Sequence, residues 1–416
     1  MRITLRRTHY VFLAVLCLIL SVKKSSQAGT LIHGGKAAGM AAAFVAIADD
    51  PSAVVHNPAG LTTLRGTNIY GGLTAVMGST KLKNAAGETE QSDFQIFFPP
   101  HLYISRDLKQ NKIAVGLGIY SPFGIGGREW SDEGLTRYVS TKNLISTLAA
   151  NPVLAYRPFP WLSVAAGFFY LYSSSESARM IDQSALGAGD GKFSLEGDGG
   201  SYGYNFGVLL FPGRRFSFGL AYRSGVEVDQ NVEVRINNLA PFLQSFTGGS
   251  GFHTDAKTSL DFPPVLNFGV AYRPTQSLTL GLEFEWTGWS SFDKMDVNLR
   301  QEIPQAGLSD FSIDFGYRDT WIIKVGAELA IKENYYLRGG YAYVQTPAPT
   351  RTLNPGNPDA DQHSFSVGFG YRKKDLVLDF FYVADLFKER PADNPILPGT
   401  YRGLAHFAGL SVGYHF

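Results

Sequence analysis

Few residues of this chain are spaced for chemistry on a substrate. Asp49-Asp50 is an adjacent carboxylate pair of a kind that can hold a metal, but such pairs also occur widely in turns. The histidines after the first 28 residues (His33, His56, His101, His253, His363, His406 and His415) show no metal-ligand spacing. Gly124-Ile125-Gly126-Gly127 precedes no helical pattern, so it is not a phosphate cradle. Nothing marks a Ser, Asp and His set for nucleophilic catalysis. The chain therefore reads as a non-enzyme with no cofactor. The charges that stand out are Lys324 and Arg338, with Glu283, Glu285 and Glu328. The two cations suit either capture of a substrate carboxylate or internal ion pairs with those glutamates.

These charges lie in segments of alternating apolarity. In Trp321–Ile331 the odd positions Trp321, Ile323, Val325, Ala327, Leu329 and Ile331 oppose Lys324 and Glu328. Leu278, Leu280, Leu282, Phe284 and Trp286 oppose Glu283 and Glu285, and Leu376, Leu378, Phe380 and Tyr382 oppose Asp379. Strand residues alternate faces, so each segment predicts an apolar face toward lipid and a polar face toward a wet lumen. Runs of this kind are Thr67–Ser79, Phe94–Arg106, Lys112–Pro122, Thr147–Pro158, Trp161–Met180, Lys192–Phe211 and Phe216–Ile236. They continue as His253–Arg273, Leu278–Asn298, Thr320–Lys332, Tyr335–Thr346, His363–Arg372, Leu376–Phe387 and Leu404–Phe416. That is about 14 strands, an even number, joined alternately by short turns and long loops, as in outer-membrane barrels.

Composition agrees. Aromatics make up 13%, glycine supplies 46 residues, only 18% are charged, and the net charge of +1 excludes a nucleic-acid footprint. Arg2, Arg6 and Arg7 precede an apolar run from Tyr10 to Val22, too short to span a bilayer core of roughly 20 residues. Ser26-Gln27-Ala28 offers a cleavage site, so residues 1–28 read as an export signal. The only cysteine, Cys17, lies inside that signal. Tyr156-Arg157-Pro158, Tyr272-Arg273-Pro274 and Tyr371-Arg372-Lys373 place rings and cations where an interfacial girdle belongs. The chain stops on an alternating aromatic strand ending at Phe416, resembling the signal read by the outer-membrane assembly machinery.

Residues 29–66 do not read as strand. Gly34-Gly35-Lys36 leads into the small residues Ala37 to Ala43, then Phe44-Val45-Ala46-Ile47-Ala48. The segment is too short to stand alone as a domain, so it is expected inside the barrel, residues 67–416, as a plug. A barrel of this strand number otherwise leaves an open lumen.

The stretch Ala46-Ile47-Ala48-Asp49-Asp50-Pro51-Ser52-Ala53-Val54-Val55-His56-Asn57-Pro58-Ala59 resembles the hatch signature of the FadL/TodX family of outer-membrane long-chain fatty acid and hydrocarbon transporters. The likeness continues at Ser121-Pro122-Phe123-Gly124, Trp130, Arg137-Tyr138 and Asn151-Pro152-Val153-Leu154-Ala155-Tyr156-Arg157. It returns at Glu285-Trp286-Thr287-Gly288-Trp289-Ser290, at Leu337-Arg338-Gly339-Gly340-Tyr341-Ala342-Tyr343 and at Pro347. The resemblance implies an all-β transmembrane, 14-stranded antiparallel barrel with an N-terminal hatch. It implies capture of hydrophobic molecules at extracellular loops, passage to a lumen site, and lateral release beside a kinked third strand. The family's hatch motif beside that kink maps onto Asn57, Pro58 and Ala59, and Gly116 and Gly118 would permit the bend. From the residues alone, Asn57-Pro58 is equally a plain turn. Phe123, Ile125, Trp130, Leu135, Tyr138, Leu144 and Ile145 suit a capture surface or simple loop packing. The partners expected are a hydrophobic small molecule, the lipid and lipopolysaccharide of a Gram-negative outer membrane, and the assembly machinery, with the protein a monomer. Long-chain fatty acids and monoaromatic or alkane hydrocarbons both fit this route. A general porin, or an outer-membrane enzyme or adhesin, is the competing reading.

Overall fold

The structure, a computed structural model, describes residues 32–416. The expected export signal lies outside the described residues, as does the side chain of Ile125. The chain closes into a 14-stranded antiparallel barrel. Strand β1 is Thr67–Asn84, β2 is Gln95–Phe97 with Pro100–Asp107, and β3 is Ile113–Tyr120 with Ile125–Glu129. Next come β4 (Lys142–Phe159), β5 (Leu162–Ile181), β6 (Gly191–Leu210), β7 (Phe216–Arg223 with Val226–Asn237) and β8 (Phe252–Phe262 with Val265–Tyr272). The ring continues through β9 (Leu278–Thr287), β10 (Thr320–Lys332), β11 (Tyr335–Val344), β12 (Gln362–Lys373), β13 (Leu376–Phe387) and β14 (Gly399–His415). It closes where β1 pairs with β14 from Asn68↔His415 to Asn84↔Gly399. No helix among the described residues is long and apolar enough to cross a membrane; the crossing is made by strands.

The alternation sorts side chains as expected. Leu280, Leu282, Trp321, Ile323, Val325 and Phe380 face outward and exposed, while Glu283, Glu285, Lys324, Glu328 and Asp379 are buried inward. Stacked rings mark the short-turn end: Phe159 on Trp161 at 5.4 Å and Phe216 on Tyr272 at 4.7 Å. Such rings suit the headgroup layer.

Several strands differ from the sequence expectation. β4 begins at Lys142 rather than Thr147, and β14 begins at Gly399 rather than Leu404. These outer ends are polar, so a lipid-facing pattern stops before the hydrogen-bonded ladder does. β7 and β8, each expected as one run, are interrupted side by side at Ser224-Gly225 and Pro263-Pro264. Proline has no N–H to give a ladder. The expected strand Leu278–Asn298 breaks at the 3₁₀ turn Trp289–Ser291, with Lys294–Leu299 pairing onto the outer end of β8.

The lumen is not the wet channel that the polar inner face suggested. Residues 32–64 run inside it and are almost wholly buried. They form two single-turn helices, α1 (Gly35–Ala38) and α2 (Ala53–His56), and the 3₁₀ turn Pro58–Thr63. Inward glycines on the wall make room for this segment's backbone. A Cβ at Gly281 would come within 2.6 Å of the Ala43 carbonyl, and one at Gly326 within 2.5 Å of the Met40 carbonyl.

Candidate functional site

Polar wall residues are spent on holding the inner segment. The Glu283 carboxylate accepts hydrogen bonds from the Phe44 and Val45 amides at 2.8 and 2.7 Å. Lys324 bridges Glu283 and Glu285 at 2.9 and 2.7 Å. Lys36, almost fully buried in α1, lies 2.9 Å from both Asp49 and Glu328. Arg338 joins Glu328 at 2.7 Å and Asp379 at 2.6 Å, and the Tyr70 hydroxyl donates to Asp379 at 2.9 Å. Buried charges persist only when paired and hydrogen-bonded; here Lys36–Glu328 crosses from segment to wall, while the Lys324 and Arg338 pairs join wall strands to one another.

Lys324 and Arg338 are thus internal ion-pair members. The alternative of a free cation for substrate does not hold for either, because each is committed to two carboxylates in a dry setting. Asp49 pairs with Lys36, and Asp50 accepts from the Ser52 amide at 2.8 Å, so this carboxylate pair shapes a turn. No metal-holding cluster of His, Cys, Asp or Glu occurs among the described residues.

The wall is interrupted between β2 and β3. Their ladder ends at Leu102↔Ile119. Beyond it, Gln95–Phe97 pairs only with β1 and Ile125–Glu129 only with β4. The two edges meet again where the Asp93 amide donates to the Glu129 carbonyl at 2.9 Å. The sequence explains the interruption. Pro99, Pro100 and Pro122 lack the N–H that pairing needs. β3 also carries extra chain: Tyr120 pairs with Ala149 and Ile125 with Ser146, so the four residues 121–124 face only 147 and 148. This bulge throws Phe123 inward, where it stacks on Phe262 of β8 at 4.9 Å. Gly124 supplies the left-handed φ of 89°. Phe94, Ile96 and Phe98 border the interruption and are exposed on the lipid side.

Gly116 and Gly118 do not make this bend. Both sit in continuous ladders with β2 and β4. Their missing side chains admit Leu61 and Val54 of the inner segment, which a Cβ would meet at 2.6 and 2.8 Å. Asn57-Pro58-Ala59 is not beside the bend either. Asn57 Nδ2 donates to the carbonyls of Val45 and of Val208 in β6, at 2.8 and 2.9 Å, and its Oδ1 caps the 3₁₀ turn by accepting from the Ala59 amide. Among the described inner residues, Ile32 lines the cavity beside the interruption and the His33 ring meets Tyr120 of β3 edge-on at 5.4 Å. Asn57-Pro58-Ala59 therefore lies in the inner segment against β6 rather than against β3, where the resemblance implied it.

Above the inner segment, and opening against the bulge, is a cavity of about 210 Å³. Its apolar lining includes Ile32, Val76, Pro122, Phe123, Ile145, Val265 and Phe407. Of the expected capture residues, Phe123 and Ile145 line this cavity. Trp130 is buried among loops, its indole N–H donating to the Pro355 carbonyl at 2.9 Å, and the Tyr138 hydroxyl donates to Asp190. Leu144 is buried and Leu135 half-buried. None of these four lines the cavity.

Arg223, at the outer end of the first half of β7, was missed in the sequence. It is 7% exposed, its Nε has no hydrogen-bond partner, and no carboxylate pairs with it among the described residues. Its guanidinium lies 5.0 Å from the Phe123 ring, with the Tyr120 hydroxyl beside it. The signal was present: Phe216, Phe218 and Leu220 point to lipid, so the odd-numbered Arg223 must point inward.

Two histidines of the inner segment are held neutral. Burial pushes His56 down to about 4, against the opposing effect of the hydrogen bond its Nε2–H donates to the His33 carbonyl at 2.7 Å. Burial also pushes His33 well down, aided by His56 and His101. An unfolded His56 binds a proton near 6.5, a folded one only near 4. The unfolded segment therefore holds more protons in that window, and the stability from His56, present above pH 6.5, is lost as pH falls toward 4. Asp50 acts oppositely: burial raises it to about 6, so its stabilisation belongs to low pH and is lost as pH rises through 6. With two histidines against one aspartate, conductance in planar bilayers is expected to rise on acidification from pH 6.5 to 4, and His56→Gln to reduce the rise. A flat wild-type profile would refute this.

The comparisons with known proteins agree with this architecture. Residues 19–416 match the family model described as outer membrane protein transport protein (OMPP1/FadL/TodX). The chain is 23% identical over 393 residues to the long-chain fatty acid transport protein of Escherichia coli O6:H1, covering 86% of each chain. A Pseudomonas aeruginosa FadL homologue superposes with a TM-score of 0.80 at 21% identity, over 95% of this chain and 100% of that one. The Pseudomonas putida toluene transporter TodX superposes at 0.73 with 15% identity, over 92% and 98%. A closed barrel with an apolar belt, and a family match spanning nearly its whole length, place this chain in the Gram-negative outer membrane as a member of the OMPP1/FadL/TodX family of transport proteins.

Proposed function

We propose that the protein is a passive channel for long-chain fatty acids. Acids are caught at the extracellular loops and enter the cavity above the inner segment, which acts as a hatch. They leave sideways through the interruption between β2 and β3 into the membrane. The observation that carries this reading is Arg223, a buried cation that no carboxylate pairs with among the described residues, lining a mixed polar and apolar cavity next to that interruption. Such a cation offers a carboxylate a charge-assisted hydrogen bond. The acyl chain gains about 0.8 kcal/mol per buried CH₂, which a watery pore would forfeit and a lateral path into lipid keeps. Movement of Ile32 and His33, which border the interruption, would control release, with Asn57 anchoring the hatch to β6.

A second reading is uptake of monoaromatic hydrocarbons by the same path. The Phe123 ring favours it, since it already faces Arg223 and stacks on Phe262. Uptake of oleate and of toluene, in a strain lacking such a channel, separates the two. Oleate uptake is expected to exceed the empty strain. Arg223→Gln should raise the oleate KM about tenfold, the loss of one charge-assisted bond, and leave toluene entry unchanged. If oleate enters no faster than in the empty strain, the proposal fails. Entry of toluene alone would favour the second reading.

A further inference from the structure

Five charged residues line the cavity: Arg128, Arg223, Glu285, Asp359 and Asp385. Three are committed. Arg128 donates to Thr80 Oγ1 and the Gly127 carbonyl, each at 2.9 Å. Glu285 is held by Lys324, and Asp359 accepts from the Thr346 hydroxyl at 2.5 Å. Two are not. Arg223 is the first. The second is Asp385 on β13, which is 3% exposed and carries a carboxylate oxygen without any hydrogen-bond partner. Directly across the ladder from it is Ser364, whose hydroxyl lies beside the carboxylate and can serve only one of its two oxygens. No cation pairs with Asp385 among the described residues.

β7 and β13 stand six strands apart in a ring of 14, so Arg223 and Asp385 occupy opposite walls of one cavity. A buried carboxylate oxygen lacking a donor is costly, and Asp385 is among the residues that line the cavity. The aliphatic chain of a plain fatty acid has nothing to give it. We propose that the channel is built for long-chain acids that carry a hydroxyl far from the carboxylate: Arg223 holds the carboxylate and Asp385 accepts the hydroxyl. This rests on the fatty acid reading above and narrows its substrate class.

The test is uptake of radiolabelled oleate, 12-hydroxyoleate and 2-hydroxystearate by the same strain carrying wild type, Asp385→Leu or Asp385→Asn. Wild type is expected to show a KM for 12-hydroxyoleate roughly fivefold below that for oleate, the effect of one added hydrogen bond. 2-Hydroxystearate should gain nothing, since its hydroxyl lies beside the head group. Asp385→Leu should bring the ratio to about one. Asp385→Asn, which keeps an acceptor, should retain part of it. Heat-dependent electrophoretic mobility reports that each variant barrel is folded. Equal KM values for oleate and 12-hydroxyoleate in wild type, or a ratio unmoved by Asp385→Leu, would overturn this proposal while leaving fatty acid transport standing. No uptake of any of the acids would overturn the transport reading itself, and this proposal with it.

Discussion

Glu283→Ala is expected to make the barrel leak. That carboxylate accepts both the Phe44 and the Val45 amide, and it is almost wholly buried. Hydrogen bonds to a charged group are worth about 1.5–3 kcal/mol each, so losing both costs about 3–6 kcal/mol. At about 1.4 kcal/mol per tenfold, the population with residues 39–46 displaced rises by about 10²–10⁴. The strand ladders of β9 are backbone bonds and remain. The barrel should therefore still insert, while single-channel conductance appears and cells become sensitive to vancomycin. Glu283→Gln keeps one acceptor oxygen and should fall between. A silent alanine variant would mean that the Lys36–Glu328 pair and the remaining segment-to-wall hydrogen bonds, such as Asn57 to Val208 and Gly35 to Ser411, hold the inner segment without Glu283.

Deleting Pro122 and Phe123 should have the opposite effect and close the route. β3 has two residues more than its partner β4 across the bulge, as the pairs Tyr120↔Ala149 and Ile125↔Ser146 require. Removing two restores that register and, being an even number, keeps every later side chain on its own face. A continuous β3 offers its free edge to Gln95–Phe97 of β2, and the interruption narrows to the step at Pro99-Pro100. Oleate uptake is expected to fall on the order of tenfold or more, a barrier rise of about 1.4 kcal/mol or more, in a barrel that still folds. Phe123→Ala alone is the control, since it removes the ring without removing chain. Uptake equal to wild type in the deletion would exclude exit between β2 and β3.

How much of this was legible follows from the reach of each signal. Strand number, face and turn polarity are local, written in period-two alternation, and they appear in the structure nearly as the residues imply. The inward placement of Glu283, Lys324, Glu328 and Asp379 was readable for the same reason. Parity also marked Arg223 and Asp385, but lone inward charges were hidden by the more conspicuous cluster at Lys324 and Arg338. Partnering is a long-range property: which cation stays unpaired depends on Glu283 meeting Phe44, 239 residues away. The bend was sought at Gly116 and Gly118 because glycine permits bending. The structure bends instead at the prolines and the two-residue surplus, and the surplus cannot be counted until β3 is paired with β4. Asn57-Pro58-Ala59 was identifiable as a motif, yet only the folded wall shows that it meets β6.

One contact bears on how the molecule is made. The Gly35 amide donates to Ser411 Oγ at 2.9 Å, across 376 residues of chain. Gly39 likewise meets Gly368, and Gly35 meets Asp379, so β12, β13 and β14 close directly onto the start of the described chain. Contacts between such distant residues form late and slowly. The segment that emerges early from the export channel must wait, without its partners, for strands that arrive last. Once β1 and β14 zip together, it is enclosed. Insertion into the membrane and internal packing are therefore one event, and a barrel that shut early would exclude its own core.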